Sequence, residues 1–164
     1  MPQSRFKIKL LSLLFTCVSV FAIAQKFDKT LFYQAMESKD SAKIHQQETI
    51  LQNYSIKEKQ AYEGVLLLKK SGILVNKRDK LASFKAGKIK LETAIKKDSA
   101  NTEYHFLRLM IQENAPKILG YHTELEKDNI YIRKNFKTLS PSVQQAILGY
   151  SRQSKILRNL SETR

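Results

Sequence analysis

Apolar residues recur along most of this chain at three-and-four spacing, the period of helices that bury one face. Asp28 is placed to cap a first helix, "KTLFYQAMESK", with Leu31, Phe32, Ala35 and Met36 on one side. "SKDSA" breaks it, and "AKIHQQETILQNY" resumes with Ile44, Ile50 and Leu51 inward. Ser55 and Glu58 have capping-box spacing for a third helix. That helix is apolar on nearly every side between Val65 and Val75, as a helix enclosed by others would be. Gly64 and Gly72 lower its helix propensity, which close approach by a neighbour would offset; for Gly72 a helix end is the simpler reading.

After "NKRDK" a fourth helix is expected over roughly residues 79 to 97, with Leu81, Phe84, Gly87, Leu91, Ala94 and Ile95 on one face. Asn101 caps a fifth, "TEYHFLRLMIQEN", dense in large apolar side chains. Pro116 ends or kinks that path, and "PKILGY" reads as a short helical turn stopped at Gly120. Thr123 with Glu126 offers a second capping box. The sixth helix then runs to about Thr138 with Leu125, Ile132, Phe136 and Leu139 inward. Ser140-Pro141 is the clearest start signal, a serine cap followed by proline at the first helical position. The seventh helix carries Val143, Ala146, Ile147 and Tyr150, and either frays or continues through Leu157. Sustained two-residue alternation is absent, so the expectation is an all-α fold of about seven helices in antiparallel hairpins. It is a tetratricopeptide-like array or an irregular bundle. A single domain over 25–157 would be followed by a loose tail over 158–164.

The N-terminus changes where this chain is expected to go. Arg5, Lys7 and Lys9, with no acid, precede the apolar run "LLSLLFTCVSVFAIA". It ends in the small-x-small pattern Ala22-Ile23-Ala24. Residues 1–24 therefore read as a signal peptide, cleaved after Ala24. The run is short for a membrane span. An uncut anchor and lipidation at Cys17 are the alternatives. Export implies a periplasmic or secreted protein, and cleavage removes the only cysteine. Stability must then come from packing without a disulfide.

Formal net charge is +14, of which the leader contributes three. Between Lys69 and Lys97 ten basic residues face two acidic ones. A basic surface attracts anions, and export makes nucleic acid the least expected of them. The same lysines also suit an ordinary solvated face, with Lys88 near the apolar edge.

"LETAIKKDSANTEY" resembles the joint between successive tetratricopeptide repeats. Leu91 and Ala94 stand at second-helix packing positions of that family, and Asp98 and Asn101 stand in its turn. Ser99 takes the usual proline position, while His105 and Leu109 replace an aromatic and a glycine. "KDSA" occurs at 39–42 and 97–100, both in helix joints, and no 34-residue period accompanies it. The resemblance implies helical hairpins and partner binding. "EYHFLRL…P…LGY" is also similar to small exported bacterial proteins, which implies export and a helical fold.

Catalytic signatures are missing. There is no Gly-x-Ser-x-Gly elbow, no phosphate-cradling glycine loop, and no cysteine beyond Cys17. His45, His105 and His122 form no His-x-x-x-His pair; His105, His122 and Glu124 could meet as metal ligands only if the fifth and sixth helices touch. Partly exposed histidines at helix joints are the simpler reading. Arg108, among apolar neighbours, should pair with Asp128 or Glu124 across the hairpin, or face a partner. The expected function is therefore an exported, non-catalytic helical interaction or scaffold module with no cofactor or metal. Its partner would be a protein of the cell envelope. It would hold no transmembrane segment after leader removal. Its concave face would come from the fourth, fifth and sixth helices, with Tyr104, Arg108 and Tyr121 as candidate partner-binding residues. The alternative is a basic module for lipid phosphates or acidic polymers, with Lys85, Lys88 and Lys90 as candidate anion-binding residues.

Overall fold

A computed structural model describes residues 26–158 and 160. The expected leader over 1–24, Cys17 within it, and residues 161–164 of the expected tail lie outside the described residues. The described chain is all-α, with seven α-helices and no strand. They are α1 (Lys29–Glu37), α2 (Ser41–Gln52), α3 (Lys59–Ile73), α4 (Lys77–Lys97), α5 (Thr102–Asn114), α6 (Leu125–Asn135) and α7 (Pro141–Ser151). No helix among the described residues is long and apolar enough to cross a membrane.

Four helix starts are fixed by side-chain caps that satisfy otherwise free backbone N–H groups. Asp28, Asp40, Asn76 and Asn101 do this for α1, α2, α4 and α5. Asn76 begins α4 two residues earlier than expected. Neither expected capping box forms. The cap of α3 is Glu58 and that of α6 is Glu124, and neither makes a side-chain cap bond. A turn over residues 56–59 replaces the first box, with Lys59 N–H donating to the Ile56 carbonyl. Ser140 and Pro141 do open α7, but the serine hydroxyl caps no N–H. Instead the Gln144 amide reaches back to the Leu139 carbonyl at 2.9 Å. Pro116 stops α5, and a single 3-10 turn over Lys117–Leu119 ends at Gly120, whose φ of 58° is left-handed.

Two antiparallel hairpins dominate. In α3–α4 the cross-pairs run in opposite senses: Ser83 hydroxyl to the Leu67 carbonyl, Lys90 to Glu63, Lys97 to Gln60. Gly64 and Gly87 meet at their centre. A Cβ on Gly64 would lie 2.9 Å from the Gly87 carbonyl oxygen, so the backbones touch. In α5–α6, Gln112 faces Glu124, Arg108 faces Asp128, and Tyr131 reaches the Ala100 carbonyl. α1 packs on α7, closing the first helix against the last.

The core is continuous. Phe32 stacks on Tyr62 at 4.3 Å between centroids, and Phe106 lies between Tyr33 and Tyr150. The most enclosed helix is α5, with residues 102–110 and Gln112 all buried; α3, expected to be central, is less so. Leu31 and Leu81 were expected inward but are 49% and 45% exposed. The chain after α7 turns without continuing as helix, yet Leu157 and Leu160 are buried. The expected tail thus contributes to the core at least through Leu160.

Candidate functional site

Helix α5 buries most of its polar side chains, and several of them meet partners from other helices. Glu103 accepts from Tyr33 Oη at 2.8 Å, Tyr62 Oη at 2.5 Å and Lys29 Nζ at 2.6 Å. Lys29 also pairs with Glu58. Burial first, then the Glu103 charge, pushes both tyrosine hydroxyls far above their ordinary pKa. At the other end of α5, Glu113 accepts from the Tyr150 and Ser154 hydroxyls and from the backbone N–H groups of Lys155 and Ile156. That carboxylate clasps the chain after α7.

Between them, residues 105, 108 and 112 follow the three-and-four rhythm and share one side of the helix. Arg108 donates from Nε and Nη2 to the two Asp128 oxygens at 2.8 and 2.7 Å, and from Nη1 to Glu92 at 3.0 Å. Glu124 lies 3.8 Å from Nη2. His105 Nδ1 is 2.7 Å from Asp128 Oδ1, and its Nε2 is 2.9 Å from the Ser99 carbonyl. Thus Ser99 and His105, two departures from the repeat-like joint, bond to each other. Burial raises the Asp128 carboxyl, but the hydrogen bonds from Arg108 and His105 and their charges outweigh it and hold the group below its ordinary value. Arg108 loses from burial and regains more from Asp128 and Glu92, so it stays charged. Tyr121 donates to Glu92 Oε1 at 2.5 Å, and burial with that bond raises its hydroxyl strongly.

A cleft of about 480 Å³ opens beside this network, between α4, α5 and residues 120–124. It is lined by Lys88, Ile89, Glu92 and Lys96 of α4, Arg108 and Gln112 of α5, and Tyr121 and Glu124. Lys88 Nζ stands 4.8 Å from the centroid of the Tyr121 ring, a cation–π contact at the cleft wall. The volume falls in the roughly 300–1,000 Å³ range of ligand clefts.

The expected partner-binding set divides here. Arg108 and Tyr121 reach the cleft wall, although both are largely buried, and Arg108 makes the internal pairs with Asp128 and Glu124 expected of it. Tyr104 is not part of the cleft. It is 3% exposed, its hydroxyl donates to the Lys57 carbonyl, and burial raises its pKa to about 12. The three lysines divide as well: Lys88 lines the cleft, Lys90 is paired with Glu63, and Lys85 is exposed. His105, His122 and Glu124 do not assemble as ligands. His105 uses both ring nitrogens elsewhere, and His122 Nδ1 is occupied by the Gln112 carbonyl.

Gln112, Glu92 and Lys96 were not singled out from the sequence. Their only advance signal was polar residues at helical spacing beside Arg108 and Lys88. Chemically the arrangement holds and orients. The Arg108 nitrogens and the two His105 nitrogens are committed, Asp128 is a weakened base, and Tyr121 is pinned to Glu92. No family model matches the chain, and no curated protein or solved structure matches it either.

Proposed function

We propose that this chain is an exported, non-catalytic helical interaction module that takes its partner in the α4–α5 cleft. The leader-like residues 1–24 support export. The cleft carries the rest of the reading: it is open, walled by a rigid buried network, and edged by Lys88, Ile89 and Lys96. A fixed network beneath a surface cleft favours binding, because its groups are already ordered before the partner arrives. The tetratricopeptide-like reading draws support from the consecutive hairpins α3–α4 and α5–α6, although α1 on α7 adds a closure that an open array lacks.

The test uses a photo-crosslinking residue at Ile89, which is 67% exposed on the cleft edge, and another at Val75, which is 95% exposed at the end of α3. A discrete adduct is expected from position 89 in the producing cells, lost with Lys88→Glu and Lys96→Glu. Equal adducts from both positions, or none from 89, would reject the cleft as partner site.

A second reading is a basic module for anionic envelope material. The observation favouring it is that Lys85 and Lys88 have no carboxylate within ion-pair distance among the described residues. Its signature is binding to anionic vesicles that weakens steeply with salt, since exposed charges are screened beyond about 8 Å at physiological ionic strength.

A further inference from the structure

One buried group at the cleft has its chemistry unmet. Gln112 is fully buried, at 0% exposure. Its Oε1 accepts the Glu124 backbone N–H at 3.2 Å. A backbone N–H can only donate, so this bond fixes which way the side-chain amide points. Nε2 is then left as a buried donor with no acceptor among the described residues. Buried polar groups are nearly always paired, so such a donor calls for an acceptor. Gln112 lines the same cleft as Lys88 and Lys96, and neither lysine forms an ion pair among the described residues.

We propose that the cleft, on the reading that it is the partner site, recognises an acidic peptide through a single carboxylate. One carboxylate oxygen accepts from Gln112 Nε2, which is covered in the unbound chain and is uncovered on binding. Lys88 and Lys96 balance its charge, and a flanking residue lies on Ile89, which is 67% exposed.

The donor set selects a carboxylate over a phosphate. The Arg108 fork, which could take either anion, is already filled by Asp128 and Glu92. Glu92 and Glu124 also line the cleft and would repel a second negative charge. The shape selects a peptide over a compact free acid. Lys88 and Lys96 are eight residues apart on α4, about 12 Å along its axis. An extended segment of roughly three or four residues spans that length.

The experiment follows the side-chain amide resonance of Gln112 in the isotopically labelled chain. Four probes are added: acetyl-Leu-Glu-Leu-amide, acetyl-Leu-Gln-Leu with a free C-terminus, acetyl-Leu-Gln-Leu-amide, and inorganic phosphate. At least one of the two carboxylate-bearing peptides should shift the resonance, and which one does so tells side chain from chain end as the source. Binding should weaken about tenfold in the Lys88→Gln, Lys96→Gln double variant. It should not weaken in Lys90→Gln, which removes a lysine paired with Glu63. These lysines are not core residues, so the variants keep the fold, and an unchanged melting curve verifies it. Equal binding of the neutral peptide would overturn the carboxylate while leaving the cleft as partner site. Phosphate acting at lower concentration than either acidic peptide would overturn it in favour of the anionic-envelope reading. If no probe moves Gln112, the inference falls, and the crosslink from Ile89, which depends on no chosen probe, judges the partner site separately.

Discussion

The two hairpins are held by different physics. In α3–α4, two glycines bring backbone against backbone, and a Cβ on either would meet main-chain atoms at 2.6–2.9 Å. In α5–α6, contact is made through long polar side chains: Arg108 and His105 reach Asp128, and Arg108 reaches back to Glu92 on α4. Backbone contact leaves no space between α3 and α4 and keeps the outer face of α4 free. The polar bridge of the second hairpin extends through Arg108 to Glu92 on that face, and the cleft opens between α4, α5 and residues 120–124. The glycine-contact hairpin fixes one wall; the polar one fixes the other.

The largest expected effect comes from the polar hairpin. Asp128 is 0% exposed and accepts three hydrogen bonds from two side chains. Asp128→Ala removes three hydrogen bonds and leaves Arg108 to Glu92 and Glu124. Removing one partner of a buried ion pair costs about 3–5 kcal/mol, and the lower end is expected while Glu92 remains. That is a large share of the 5–15 kcal/mol typical of a folded domain, and a urea midpoint would show it. The same residue sets an acid limb. Its folded pKa lies below the ordinary 3.8, so the unfolded chain takes up its proton first as pH falls. The contribution is fully present above that value and is lost below it, as pH falls towards the folded pKa. Asp128→Asn should flatten this limb, and an unchanged acid midpoint would mean the network does not hold that carboxyl.

The glycine-contact hairpin should break through volume alone. Gly64→Ala places a methyl 2.7 Å from the Leu91 nitrogen, and backbone cannot rotate away as a side chain can. Overpacking of this kind costs about 1–3 kcal/mol. Gly87→Ala crowds the same crossing, so the double variant should lose less than the sum of the two single losses. Additive losses would show that the two glycines face separate neighbours.

Helix number, the breaks at Pro116 and Gly120, and the starts at Asp28, Asn101 and Pro141 were legible because each is written in local chemistry. The Arg108–Asp128 pair was legible because a basic residue in an apolar run needs a counter-charge. What was hidden is what covers each face. Leu31 and Leu81 share a helical side with core residues, but no other helix reaches them fully. Tyr104, marked as a surface candidate, lies under Lys57. Glu103 and Gln112 drew no reading from the sequence, because their partners come from 70 residues away on α1 and from the α5–α6 joint. Spacing reports which side chains share a face, and long-range pairing decides whether that face is wet. The cleft was half legible for this reason. The fourth and fifth helices were named for the concave face along with Arg108 and Tyr121, and Lys88 for the alternative anion surface; the sixth helix, also named, supplies no cleft residue, and the unpaired donor depends on a bond to Glu124.

The smallest expected effect is the sharpest control on the comparison. Gly72 lies on α3 eight residues beyond Gly64, and a Cβ there meets nothing within 4 Å. The backbone at that position is helical, so alanine adopts it without strain. Gly72→Ala should therefore stabilise the protein by about 0.5–1 kcal/mol, by restricting the unfolded chain and favouring the helix. The same substitution in the same helix then has opposite signs at positions 64 and 72, because α4 lies against the backbone at Gly64 while the space at Gly72, in the last turn, is open. Thermal unfolding of the two single variants measures this directly. If Gly72→Ala also lowered the melting temperature, the loss at Gly64 could no longer be assigned to backbone contact, because a shared dislike of alanine anywhere along α3 would explain both.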